Sequence, residues 1–239
     1  MSTKIVKKGK TYFRALKNIM RVRYKPPHFV FLGEAFPDGS LILSNHEGTD
    51  APMALEMYLD RRFCMWGAQE MNSGLRSLYA YQTKIYYHEK KHWNIHLARL
   101  FCLLASPLTN LFYSGLDLIS TYRDVRFYKT LKESMAAIES GKSIVVFPEQ
   151  SEKGYLPELE GFYDGFAAFA EYAAKKGIDL PVLVCYYRKS DNTYIFDTPT
   201  RYSALMEQYG SRAGIVSALL SRCNELGKYK DEKTEEISV

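Results

Sequence analysis

The sequence predicts an α/β fold: a single domain with a largely parallel central sheet flanked by helices, plus an N-terminal amphipathic helix. Three observations predict it. Short continuous apolar runs, at residues 143–147 and 180–187, have the length and composition of strands buried on both faces. Longer stretches between such runs carry apolar residues at helical spacing. Glycines close those stretches, Gly141 after residues 125–140 and Gly177 after residues 161–176. Strands alternating with helices build a parallel sheet that helices cover.

Residues 1–25 contain Lys4, Lys7, Lys8, Lys10, Arg14, Lys17, Arg21, Arg23 and Lys25 and no carboxylate. Phe13, Leu16 and Met20 fall on one helical face, and Pro26-Pro27 ends the segment. Such a helix fits an anionic membrane interface, a solvated helix packed on the domain, or a nucleic-acid-binding arm. The whole chain has 32 Lys+Arg against 27 Asp+Glu, a net charge of +5. These nine cations exceed that total, so the remaining chain is net acidic, at −4. That division argues against a nucleic-acid partner and for an anionic membrane surface. It divides the chain into a basic helix at 1–27, an α/β domain at 28–227 and a polar tail at 228–239.

Two apolar runs, 28–32 and 40–44, flank the turn Pro37-Asp38-Gly39 and read as strands. A helix is expected over 51–59, with Asp50 as N-cap and Pro52 in its first turn, followed by a strand at 63–68. Residues 70–115 read as mainly helical, broken at Pro107. The uncharged stretch 100–116 contains Ser106, Pro107, Thr109, Asn110 and Ser114, so no transmembrane helix is expected there and a buried or surface-lying helix is. Residues 97–111 form its apolar stretch. A strand at 116–121, a helix at 125–140, a strand at 143–147, a helix at 161–176 and a strand at 180–187 follow. An edge strand at 194–196 and one helix within 203–226 complete the domain.

A composition of 46% apolar and 25% charged residues excludes disorder, collagen-like repeats and coiled coil. Cys64, Cys102, Cys185 and Cys223 form no CxxC pair and read as reduced thiols of a cytosolic protein. The N-terminus lacks the apolar core of a secretory signal. His88, His92 and His96 have the spacing of one helical face and of a zinc site. Their neighbours Glu89, Lys90, Lys91 and Trp93 point instead to a solvated face, so no metal is expected.

Sites on parallel sheets collect at the carboxyl ends of strands, and three such ends carry polar residues. Asn45-His46-Glu47-Gly48-Thr49-Asp50 follows the second strand, where Asp50 could fix the tautomer of a basic His46 or simply cap a helix. Phe147-Pro148-Glu149-Gln150-Ser151 follows another strand and exposes backbone amides, or is only a loop. Tyr122-Arg123-Asp124 offers a guanidinium to a phosphate, or to Asp124 itself.

Taken in order, Asn-His with a following Asp, the segment Gly115 to Arg123, Val-Val-Phe-Pro-Glu and Leu180-Pro181-Val182 resemble the glycerophospholipid acyltransferase family, which includes 1-acylglycerol-3-phosphate acyltransferases. The resemblance covers residues 29–187, and the aromatic stretch Phe162 to Ala167 belongs to it. It implies a peripheral membrane enzyme on the cytoplasmic face, moving a fatty acyl group from acyl-coenzyme A or acyl-carrier protein to a glycerophospholipid precursor such as lysophosphatidic acid or glycerol phosphate. It implies no resident cofactor, His46 as general base and Asp50 as the residue that orients it. Arg123, Glu149, Gln150, Ser151 and Lys153 would hold the acceptor. Three residues separate His46 from Asp50, where the family pattern has four. Gln150, Ser151 and Glu152 replace Gly-Thr-Arg, and Val184 stands in the place of a second proline. The same residues admit a second expectation, a catalytically impaired lipid-binding relative. Beside compact members of that family the span from His46 to Phe147 is longer, and the surplus, in residues 70–115 with the apolar stretch 97–111, would form an acyl-chain groove, a second membrane contact or an ordinary core helix.

Overall fold

The computed structural model describes residues 11–33, 36–150 and 154–230. Strands β1 (His28–Phe31), β2 (Leu41–Ser44), β3 (Phe63–Ala68), β4 (Leu118–Thr121), β5 (Ser143–Val146), β6 (Pro181–Arg188) and β7 (Thr193–Phe196) form one sheet in the order β1-β7-β6-β2-β5-β3-β4, and β8 (Thr200–Arg201) pairs with the start of β6. From β6 to β4 every pairing is parallel, so the chain leaves β2, β3, β4, β5 and β6 at one common edge. β7 runs antiparallel to β6 and carries β1 parallel beside it. The sheet is thus α/β and mostly parallel, as its apolar runs predict.

Side chains alternate across it with the period of a strand. Leu41, Leu43, Ile144, Val146, Val182 and Val184 pack with helices α6 (Phe127–Glu139), α7 (Gly165–Ala174), α8 (Tyr202–Tyr209) and α9 (Arg212–Lys228). Ile42, Val145, Leu183 and Cys185 turn to the other face, against Ala51, Ala54 and Leu55 of α2 (Asp50–Tyr58). On the outer side of α2, its Met53 and Met57 meet Phe13 of α1 (Thr11–Met20) and Phe112 of α5 (Ile95–Tyr113). The Phe13 and Phe112 rings lie 5.2 Å apart. A Cβ at Gly115 would collide with the Phe13 ring, so the close approach requires glycine there. Tyr12 and Ser114 share a hydrogen bond of 2.8 Å, and Lys17 pairs with Glu56 at 3.1 Å. The basic helix is docked on the domain, with Arg14, Ile19, Arg21 and Val22 left exposed. Its residues 1–10 lie outside the described residues, as does the tail from 231 onward.

The strands expected on either side of Pro37-Asp38-Gly39 are β1 and β2, and β7 and β6 lie between them in the sheet. Three expectations need correction. β7 is no edge strand: all four of its residues are buried, and β1 covers its outer side. The last helical stretch is two helices, because Gly210 adopts φ +70° and Ser211 caps α9 by accepting the Gly214 N–H. Residues 69–113 form α3 (Gln69–Asn72), α4 (Leu75–Tyr81), a π-helical segment (Gln82–Lys90) and α5, and α5 runs through Pro107 without a break. Proline costs a helix interior about 3 kcal/mol in isolation. Here Ala98, Cys102, Ser106 and Phe112 are buried on both sides of Pro107 and hold the two halves in line. Among the described residues α5 is the one helix long and apolar enough, by length and composition, to cross a membrane. The four cysteines are buried and form no disulfide among the described residues.

Candidate active site

The adjacent exits of β2 and β5 place His46 beside the Phe-Pro-Glu loop. After Ser44 the ladder to β6 is continued by a side chain: Asn45 Nδ2 donates to the Tyr187 carbonyl at 3.0 Å, and its Oδ1 accepts the Tyr187 N–H at 2.7 Å. The backbone then reverses. Glu47 and Gly48 take φ +37° and +67°, a left-handed pair that swings the Gly48 carbonyl back under the His46 ring. His46 Nδ1 hydrogen-bonds that carbonyl. A carbonyl only accepts, so Nδ1 carries the proton and Nε2 presents a lone pair. Nε2 has no side-chain partner among the described residues.

Glu149 holds the site from the neighbouring strand. Its carboxylate accepts the His46 backbone N–H at 3.1 Å and the Leu156 N–H at 3.3 Å. Burial raises the Glu149 pKa, and those two N–H groups oppose the rise. Antiparallel bonding of Gln150 N–H to Gly161 O and of Tyr163 N–H to Pro148 O, each 2.8 Å, fixes the loop on residues 161–163. Around the half-buried imidazole, Phe147 and Tyr155 stand at 5.0 and 4.9 Å between ring centres, Tyr155 stacked. Lys90 and Lys91 of the preceding helical segment reach the Tyr155 ring at 5.9 Å each. Desolvation pushes the His46 pKa down to about 4, the Lys90 charge acts in the same direction, and the Gly48 bond resists. His46 is therefore neutral at pH 7, with the lone pair on Nε2.

The other site residues expected from the sequence divide. Asp50 does not hydrogen-bond His46: α2 begins at Asp50, with Thr49 as its N-cap residue. That first helical turn directs the carboxylate to Lys189 at 2.8 Å and Arg23 at 3.8 Å. The orienting contact comes from Gly48 instead, and neither residue separation nor composition signals a backbone carbonyl in that role. Arg123 lies on the same edge but at β4, three strands from β2, or about 14 Å at ordinary strand spacing. Its guanidinium lies over the Tyr163 ring at 5.4 Å, while Asp124 pairs with Arg126 at 2.7 Å. Glu149 spends its carboxylate on backbone amides beside His46, and Gln150 is exposed. Ser151 and Lys153 lie outside the described residues. His88, His92 and His96 fall in the π-helical segment, a turn with φ +55° at His92, and α5, so they share no helical face. Sequence reasoning missed Tyr155, whose stacking on His46 depends on how a loop folds back across the strand edge.

No protein-family model matches the chain, and no curated protein matches it in sequence.

Proposed function

We propose that the protein is a peripheral membrane acyltransferase. It moves a fatty acyl group from an acyl thioester, on coenzyme A or acyl-carrier protein, to a hydroxyl of a glycerophospholipid precursor such as lysophosphatidic acid or glycerol phosphate, at the inner face of a membrane. The observation that carries the reading is the His46 Nδ1–Gly48 carbonyl bond, which leaves a neutral Nε2 at the sheet edge where the Phe-Pro-Glu loop also ends. Together with the residues that resemble glycerophospholipid acyltransferases, it supports general-base chemistry.

In this mechanism Nε2 takes the proton of the acceptor hydroxyl as its oxygen bonds to the thioester carbonyl carbon. The tetrahedral adduct then collapses, the C–S bond breaks, and the thiolate leaves with the proton returned from the imidazolium. No covalent enzyme intermediate and no resident cofactor enter the step. The Gly48 bond stabilises the transient imidazolium, and Glu149 holds the backbone that carries it. Arg123, on the same edge, supplies a cation for an acceptor phosphate.

A specific observation also favours the second reading, a lipid-binding relative without turnover: the Asp50 carboxylate is engaged by Lys189 and Arg23. Purified protein given labelled acyl-coenzyme A or acyl-carrier protein and a panel of lysolipids and glycerol phosphate separates the two. The acyltransferase reading expects product that falls by about 10²–10⁴-fold in His46→Ala. Product undiminished in that variant removes His46 as the base, and absence of product across the panel selects the lipid-binding reading.

A further inference from the structure

The strongest feature outside the candidate site is the outer face of α5. Leu97, Leu100, Phe101, Leu103, Leu104, Leu108 and Leu111 are all exposed, Leu103 at 64%, Leu100 at 62% and Leu104 at 77%. At helical spacing they form one stripe. From Leu97 to Leu111 it runs about 21 Å at the rise of an α-helix. No charged residue interrupts the helix after Arg99. A soluble surface rarely leaves so continuous an apolar strip in water.

What surrounds the stripe identifies what covers it. At its N-terminal end Trp93 packs between Tyr87 and Phe101, with ring centres 4.8 and 5.4 Å away. Aromatic residues with a polar edge gather where hydrocarbon meets water. Beside them stand exposed Lys84, Lys90, Lys91 and Arg99, with the single carboxylate Glu89 between. At the other end of α5, Phe112 carries the docked basic helix α1 with its exposed Arg14, and exposed Arg21 follows the helix end. Apolar stripe, aromatic edge and cations at both ends are the pattern of a helix lying in the plane of an anionic bilayer. A spanning orientation is disfavoured by the opposite face of α5, which is buried against the domain and ties Ser106 to Gln82 at 2.8 Å.

We propose that the exposed Leu97–Leu111 face of α5 is the surface by which this protein lies on an anionic phospholipid bilayer. The inference rests on the peripheral-membrane part of the function proposed above and specifies its contact surface. The contact is continuous with the candidate site. Phe101 touches Tyr87, Tyr87 touches Tyr86, Lys91 lies over both Tyr86 and Tyr155, and Tyr155 stacks on His46. A membrane-bound α5 therefore sets the roof of the His46 site close to the lipid surface, where a lysolipid acceptor enters without crossing water.

The test uses the full chain and phosphatidylcholine vesicles with and without phosphatidylglycerol. Wild type should sediment with the anionic vesicles at low salt and less with neutral ones. Leu100→Glu/Leu104→Glu, at positions already exposed, should melt like wild type and partition about 100-fold less, since it removes two apolar anchors and adds repelled charge. With brominated acyl chains, tryptophan quenching in wild type should disappear in Trp93→Phe, which retains Trp66. Equal binding of the double variant, equal binding to neutral vesicles, or bound wild type without quenching overturns the proposal. So does a wild-type dimer that the double variant dissolves while vesicle binding is absent. Transfer to the same acceptor panel, glycerol phosphate and detergent-dispersed lysolipids without vesicles, reads the chemistry separately. Failure there with vesicle binding intact removes acyl transfer and not this surface, and the reverse result removes this surface alone.

Discussion

The exits of β2 and β5 and the helical stretch from α3 to α5 lie at the same end of the sheet, yet they treat their side chains in opposite ways. At the strand exits polar groups are paired: Asn45 with Tyr187, His46 with Gly48 and Glu149, Asp50 with Lys189. Along α5 seven large apolar residues between Leu97 and Leu111 remain uncovered. The first region is rigid because desolvated polar groups must find partners. The second leaves its apolar side chains in contact with solvent. The contrast is the basis for proposing chemistry at the one and membrane attachment at the other.

The largest expected stability effect tests whether α1 belongs to the rigid part. Phe13→Ala empties the buried contact with Phe112, Met53 and Met57 and should cost about 3–5 kcal/mol in chemical denaturation. A loss below about 1 kcal/mol would show a loosely attached helix instead. For the same reason, charge reversal at the exposed Arg14 and Arg21 is a cleaner probe of the basic helix than its deletion.

Next in size, Glu149→Gln leaves two backbone N–H groups competing for one carbonyl oxygen. It should destabilise by about 1–3 kcal/mol, read from urea midpoints. Turnover should fall further than stability explains, because the His46 backbone is released.

The effect of pH sharpens the account of His46 itself. Folded, the imidazole stays neutral down to about pH 4, against an ordinary value of 6.5. Between those values the unfolded chain binds a proton that the folded chain does not, so stability falls as pH drops through that window. Urea midpoints should decline from neutral pH toward pH 4 in wild type and less steeply in His46→Gln. Activity, if limited by free Nε2, should hold through pH 6 and fail only toward the lower value.

The smallest effect is the most discriminating. If Asp50 oriented the ring, Asp50→Asn would cost on the order of 10⁴ in turnover, whereas orientation by Gly48 predicts a change within about tenfold. Kinetics of that one variant decide which contact holds the tautomer.

The sequence by itself determined the strands other than the two-residue β8, the parallel α/β layout, the helix after His46 and the position of His46 and of Phe147-Pro148-Glu149 each at the end of a strand. Those features follow from apolar periodicity and from glycine and proline punctuation, all of them local. Only the tertiary structure decided which partner each side chain takes. Asn45 meets Tyr187 across 142 residues, and His46 meets Glu149 across 103. Asp50 turns to Lys189, α5 runs through Pro107 because packing on both sides holds it, and β7 is buried because β1 crosses to cover it. The Gly48 carbonyl under His46 needed the left-handed Glu47-Gly48 pair, whose direction is set by the strands on either side. Hydrogen bonding and burial are satisfied between residues distant in the chain, and local pattern does not specify those pairings.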